Sequence, residues 1–324
     1  MISVLIPTYR RPSSLAACLE GLDRQTVKPL EVVLVVRNDD HETRSFLASR
    51  RDTGLNIRIV TVSQPGVVIA LNTGLDHVSG EYIAITDDDT VPRPDWLERI
   101  IGHFEQDPLV GGVGGRDWVH EGGKVITGNR KVVGKLQWFG RAIGNHHLGA
   151  GPPREVDFLK GANMSYRRSA IQHIRIADYL KGQGAQVCND MEIAMAVKQA
   201  GWKLIYDPLV AVDHYPAQRH DEDQRNQFNP VATYNSAYNE TMTVAKHLPL
   251  ARGVIFFICS VCIGTSGFPG FVQWIRLLVN RTEHATAKYR AVQKGRFHAF
   301  ANLGRMGIWR RSAGTKLPVG GDPR

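Results

Sequence analysis

A chain of 324 residues with 43% hydrophobic and 22% charged residues can bury a sizeable core, which excludes a disordered protein and allows one or two domains. The formal net charge is +9, and the excess sits late: from residue 276 to 316 there are ten Lys or Arg against the single acid Glu283. A segment of that kind suits an anionic membrane surface or a nucleic acid, or is only a solvated flank.

Residues 1–4 enter a strand at once, with no basic stretch ahead of an apolar one, so a secretory signal is not expected. Strand and helix then alternate. Residues 2–6 read as a buried strand ended by Pro7, and Ser13 or Ser14 as the cap of a helix through Leu22. Residues 31–36 and 57–62 read as further strands, and 67–78 as a helix. This is the βαβ rhythm of a parallel sheet. The loops after the strands carry Thr8-Tyr9-Arg10-Arg11 and Arg37-Asn38-Asp39-Asp40, which such a sheet brings to one edge. Neither G-x-G-x-x-G nor G-x-x-x-x-G-K-[ST] follows the first strand, so nucleotide binding has to use another scheme.

Residues 80–90 form an apolar strand that runs straight into Asp87, Asp88 and Asp89. The acids must emerge at the carboxyl end of the strand, where open α/β sheets bind ligands. Adjacent carboxylates repel, and a divalent cation or a hydroxyl-rich ligand between them relieves the repulsion. The i, i+2 spacing lets Asp87 and Asp89 point one way from extended backbone while Asp88 faces elsewhere. The other reading is a solvated acidic loop, with Thr90 or Asp95 capping the next helix.

Taken in order and spacing, the chain resembles glycosyltransferase family 2, with its GT-A nucleotide-sugar fold. The pieces are Val4-Leu5-Ile6-Pro7-Thr8-Tyr9-Arg10-Arg11, Gln25-Thr26, Pro65-Gly66 leading to Ala70-Leu71-Asn72-Thr73-Gly74, and Gly80-Glu81-Tyr82-Ile83 into the acidic triplet. The resemblance covers residues 1–245 and is strongest before residue 100. It implies an α/β fold with a Rossmann-like, mostly parallel central sheet flanked by helices. Residues 1–100 would be the nucleotide-binding half and 101–248 the acceptor half. It also implies an inverting transferase that moves sugar from a nucleotide-diphosphate-sugar to a hydroxyl of a glycan or lipid-linked acceptor, in cell-surface polysaccharide or glycolipid synthesis.

Carried over by residue, the resemblance puts Pro7, Thr8, Tyr9 and Arg11 around the nucleotide base and Asp39 in hydrogen bonds with it. Asn72, Asp87 and Asp88 complete the donor-binding set, with Asp87 near the ribose. Asp89 would hold Mg2+ or Mn2+ on the diphosphate. Where family members often read Val-Val-Asp-Asp-Gly-Ser, this chain reads Val35-Val36-Arg37-Asn38-Asp39-Asp40.

Residues 110–115, rich in glycine, read as a strand that admits either a ligand or a close backbone. Residues 119–155 read as a loop over the cleft. Within it His146 and His147 lack a third ligand and read as polar loop residues. Residues 158–168 resemble the family segment that lines the sugar and acceptor pocket: Gly161 and Ala162 leave room, and Asn163 offers a donor and an acceptor. A plain strand-to-helix turn is the other reading. The helix that begins near Asn189 stands where the family keeps its catalytic base. Asp190 is the base in this reading and Glu192 an acceptor-binding acid. Two helical residues differ by roughly 200° in direction, so both cannot face one cleft. A charge favoured at a helix start is the competing account of Asp190.

Residues 202–208 and 210–216 read as two strands. His214 either completes the metal shell or is a lone core or surface histidine, and Arg219, His220 and Arg225 are available to the diphosphate. The family's Gln-x-x-Arg-Trp motif is missing, which favours one sugar per encounter.

Residues 253–275 are 23 uncharged residues broken by a Gly/Pro-rich stretch at 264–270. Each half is too short to span a bilayer, and the expectation is a segment lying in or dipping into the cytoplasmic membrane face, held by Trp274 and the basic tail. A true span and a dimer interface are the alternatives. Residues 249–324 then form an apolar helical segment with a basic tail, peripheral or monotopic on the inner face of the cell membrane; homo-oligomers are allowed and nucleic acid is not expected. The four cysteines, Cys18, Cys188, Cys259 and Cys262, lack even spacing and fit reduced thiols of a cytosolic compartment. A nucleotidyltransferase would share the sheet and the acids but should carry a Gly-rich basic loop after the first strand. A non-catalytic membrane or nucleic-acid binder would need no acids in the cleft.

Overall fold

The computed structural model describes residues 1–50, 54–176, 178–224 and 227–307. The chain opens with β1 (Ile2–Thr8), α1 (Pro12–Asp23), β2 (Glu31–Arg37), α2 (His41–Ser49), β3 (Ile57–Val62), α3 (Val67–His77) and β4 (Tyr82–Ile85). β1 runs through Pro7 rather than ending at it. β4 pairs only as far as Leu5, so at Pro7 just the β2 side is bonded and the missing N–H is tolerated. Pro12 opens α1, so Ser13 and Ser14 lie inside its first turn and neither caps it. The polar α2 lies outside the sequence expectations; its start is fixed by Asp40, whose carboxylate accepts from the Thr43 N–H at 3.0 Å.

β5 (Thr90–Pro92) and α4 (Trp96–Gln106) follow. Asp95 stands at the N-cap of α4 without a capping bond, and Thr90 belongs to β5. Next come β6 (Val110–Glu121), β7 (Lys124–Val125), β8 (Lys135–Leu136), β9 (Ala142–Ile143), a 3-10 turn (His146–Leu148), β10 (Arg154–Glu155), β11 (Met164–Arg167), α5 (Arg168–Ile171) and α6 (Asn189–Gln199). Residues 119–155 are therefore not one loop. The glycines of β6 serve close packing: a Cβ on Gly115 would stand 1.7 Å from the Val210 carbonyl oxygen. The expected pair of strands after Trp202 is one strand, β12 (Lys203–His214). It passes Pro208 by a register shift between Asp207 and Ala211.

The ten-stranded sheet has the order β10-β12-β6-β11-β4-β1-β2-β3, with β5 on β12 and β7 on β6. β3, β2, β1 and β4 are parallel, as are β6 and β12, and β11 is antiparallel between the two groups. Alternation along β1 sends Leu5 to one face and Val4 and Ile6 to the other. Leu5 shares one core with Val68 and Leu71 of α3 and the α6 residues Ile193 and Val197. Val4 and Ile6 share the opposite core with Leu15 and Leu19 of α1 and Trp96 and Ile100 of α4. Both faces are covered, which is why these strands read as unbroken apolar runs.

The chain ends in α7 (Pro230–Lys246), α8 (Leu250–Cys262), α9 (Phe271–Val279) and α10 (Ala285–Arg305). Tyr238, Met242, Phe256 and Leu303 give α7, α8 and α10 a small core of their own. Among the described residues no helix is long and apolar enough to cross a membrane. The four cysteines are free thiols.

Candidate active site

The carboxyl ends of β1, β2 and β4 open into a cleft of about 810 Å³. Pairing of β12 with β5 sets His214 against Thr90, and this register delivers the imidazole to the acidic triplet. Asp87, Asp89 and His214 each offer a ligand atom within 4.8 Å of the others. His214 Nε2 is 3.3 Å from Asp89 Oδ1, and Nδ1 is 3.5 Å from Asp117 Oδ2. Both ring nitrogens are buried and neither makes an aligned hydrogen bond. Two carboxylates and an imidazole whose buried nitrogens face carboxylates without an aligned hydrogen bond fit Mn2+ or Mg2+, with phosphate oxygens to complete the shell.

Asp88 and Asp89 are in different states. Asp88 is buried, accepts from Thr8 Oγ1 at 2.8 Å and pairs with Arg11 at 2.8 Å. Its burial outweighs the Arg11 cation and raises its pKa to about 6. Burial pushes Asp89 up, but the His214 ring, the Ala217 N–H at 2.9 Å and Arg11 together hold its carboxyl below the ordinary carboxylate range. Asp87 lines the cleft. Burial would lower His214, yet Asp117 and Asp89 raise it to about 9.

Asp117 was missed in the sequence. It lies on β6, 1% exposed, and its carboxylate is shared by His214 and Lys160, which hold it at about 2 against the upward push of burial. Its only sequence signal is an acid just after the glycine-rich first half of the strand, beside Arg116.

Pro7, Thr8, Tyr9, Arg11 and Asp39 all line the same cleft. The Arg37 guanidinium lies 3.6 Å from the centre of the Tyr9 ring and bonds Asp39 at 2.6 Å. Hydrogen bonds from Arg37 hold the Asp39 carboxyl at about 2. Asn72 is not in the cleft: it accepts from the Ile176 N–H and donates to its carbonyl, both at 3.0 Å.

Gly161, Ala162 and Asp190 line the far part of the cleft. The Asp190 carboxylate accepts from the Gly161 N–H at 3.0 Å and the Met191 N–H at 2.8 Å, and burial nevertheless raises its pKa. Cys188, at the N-cap of α6, holds a left-handed φ of 73° just before this acid. Glu192 points away, into Lys246 and His247, the latter at 3.3 Å. Asn163 is buried, accepting from the Trp96 indole at 2.9 Å and donating to the Val210 carbonyl at 2.8 Å. Arg219 and His220 reach the cleft, whereas Arg225 lies outside the described residues. His146, expected in a polar loop, is buried against Phe158 and Tyr206.

The model of the family described as "Glycosyl transferase family 2" matches residues 3–175, and the chain belongs to that family. It is 26% identical over 223 residues to a glucosyl-dolichyl phosphate glucuronosyltransferase of Haloferax volcanii, covering 66% of this chain and 68% of the relative. It is 26% identical over 217 residues to the pre-mycofactocin glycosyltransferase of Mycobacterium tuberculosis, covering 66% of this chain but 42% of that relative. Its fold is similar to a mannosyltransferase from Pyrobaculum calidifontis in complex with GDP-Man and Mn2+. There the TM-score is 0.51 at 18% identity, over 98% of this chain and 76% of that one. The protein is thus a glycosyltransferase with the GT-A fold.

Proposed function

We propose that the protein moves a single sugar from a nucleotide-diphosphate-sugar to a hydroxyl of a glycan or lipid-linked acceptor, with inversion and with help from Mn2+ or Mg2+. The observation that carries this reading is the convergence of Asp87, Asp89 and His214 at a cleft that Asp190 also lines. A divalent cation at that cluster would neutralise the charge on the leaving diphosphate. The Tyr9 ring and Asp39, tied together by Arg37, offer a nucleobase one stacking surface and one acceptor. Arg11 and Arg219 bring positive charge to the phosphates.

Asp190 takes the proton of the acceptor hydroxyl as that oxygen attacks the anomeric carbon, and the bond from that carbon to the diphosphate oxygen breaks in the same displacement. Its burial raises its pKa above the ordinary carboxylate value, which makes it a stronger base than a solvated aspartate. Gly161 and Ala162 keep the space beside it open for the acceptor. Asn72, Asn163 and Glu192, each bonded elsewhere, support the walls rather than touch substrate. Two features support an acceptor borne on the cytoplasmic membrane face: the dolichyl phosphate in the name of the Haloferax volcanii relative, and the exposed apolar helix α9.

The test is nucleotide release from UDP-, GDP- and dTDP-sugars, with and without Mn2+, alongside the anomeric configuration of the product by NMR. Mn2+-dependent release of nucleoside diphosphate with an inverted product supports the reading. Release of pyrophosphate, retention of configuration, or turnover indifferent to metal overturns it.

A further inference from the structure

Seven of the nine residues of α9, Phe-Val-Gln-Trp-Ile-Arg-Leu-Leu-Val, are apolar, and none is buried. Phe271 is 51% exposed, Leu278 45% and Val279 74%. A surface helix ordinarily lays its apolar stripe on a core; here Phe271, Val272, Ile275, Leu278 and Val279 are exposed. The helix is nonetheless held firmly. Arg296, 1% exposed, donates to the carbonyls of Ser260 at 2.5 Å, Phe268 at 2.8 Å and Pro269 at 3.2 Å, the turn that joins α8 to α9. Trp274 stacks on Tyr289 of α10 with ring centres 4.8 Å apart. The fold thus uses a buried guanidinium to fix the corner from which α9 is presented.

The charge around this face is predominantly positive. Arg276, Arg281, Arg290 and Lys294 are exposed on or beside α9 and α10, and Glu283 is the single acid between residues 249 and 307. Two copies joined through this face would bring like charges together, which disfavours self-association. An anionic surface matches it. At 1.5 Å per residue α9 is about 13 Å long, enough to lie in an interface and too short to cross one.

We propose that α9 is an in-plane anchor that enters the headgroup region of an anionic phospholipid bilayer, with Trp274 at the boundary and the exposed cations on the lipid phosphates. The proposal rests on, and deepens, the reading of a membrane-borne acceptor. His284, between α9 and α10, stacks on Phe228 at 4.9 Å, and Phe228 follows the segment that brings Arg219 and His220 to the cleft. Anchoring α9 therefore holds that rim of the cleft close to the bilayer.

The test is co-sedimentation of the full chain with phosphatidylcholine vesicles, with and without phosphatidylglycerol. Binding should require phosphatidylglycerol and weaken with salt. Ile275→Asp with Leu278→Asp, both at exposed sites, should weaken it about a hundredfold, roughly tenfold for each apolar side chain removed from the bilayer. Circular dichroism and Mn2+-dependent nucleotide release should be unchanged in that variant, which reads the anchor separately from the transfer chemistry. Absence of binding by the wild type, equal binding by the variant, or a lipid-free dimer that the same substitutions dissociate would each overturn the anchor. Failure of nucleotide release in the wild type would overturn the transferase reading instead.

Discussion

His214 Nε2 stands 3.3 Å from Asp89 Oδ1, although one residue closes β12 and the other follows β4 at the centre of the sheet. The second nitrogen of the same ring faces Asp117 at 3.5 Å, so a carboxylate orients the imidazole from behind. Asp117→Asn should keep the fold and weaken Mn2+ affinity about 10–100-fold, the usual effect of losing such an orienting group. Manganese titration followed by electron paramagnetic resonance in the presence of a nucleoside diphosphate reads this directly. Unchanged affinity would remove Asp117 from the account.

Asp190→Asn keeps the shape of the side chain and removes its basicity. Nucleotide affinity should survive, while sugar transfer falls about 10²–10⁴-fold. Because burial raises the folded pKa above the ordinary 3.8, the wild-type rate should fall on the acid side at a pH above that value, and the variant should lose this limb. Transfer at a near-normal rate in the variant would show that the base is another group.

Tyr9→Ala should lower nucleotide affinity about tenfold, in the range measured when one aromatic surface is taken from under a base. Near-normal turnover at saturating donor is expected, since Tyr9 stands with the base-binding wall and not with Asp190. A fall in turnover without a change in affinity would contradict that placement.

Glu192, buried against Lys246 and His247, is expected to contribute to stability rather than to chemistry. Burial would raise its pKa, but His247 and Lys246 depress it from 4.5 to about 2. A depressed carboxylate stabilises the fold fully above its unfolded pKa and loses that contribution as pH falls through the folded one, here from about 4.5 down to about 2. Glu192→Gln should cost on the order of 3 kcal/mol at neutral pH and nearly nothing at pH 2. Denaturant melts at the two pH values check this; an equal loss at both would contradict it.

Much of the donor half was legible because β1, β2, β3 and α3 are buried on both sides or on one clear stripe, and their apolar runs end at Gly, Pro or Asp. The polar α2 was hidden, since Phe46 and Leu47 are its only large apolar residues and its cap Asp40 looks like another loop acid. β12 was split in two because Pro208 ordinarily ends a strand, and the register shift that accommodates it depends on its neighbour β6. Convergence of Asp87, Asp89 and His214 could be anticipated from strand ends. The burial of Asn163 under Trp96 and the turning of Glu192 towards α7 could not, because an amide or carboxylate in a sequence carries no direction.

Asp87, Asp89 and His214 are expected to hold a divalent cation against the diphosphate of a nucleotide-sugar. Calorimetric titration of UDP and GDP into the wild type and Asp89→Asn, each with Mn2+ and with chelator, tests it most directly. The account predicts that one of these nucleotides binds the wild type in Mn2+, that chelation abolishes the binding, and that Asp89→Asn with Mn2+ resembles the chelated wild type. Equal binding with and without Mn2+, or full Mn2+-dependent binding by Asp89→Asn, would contradict it.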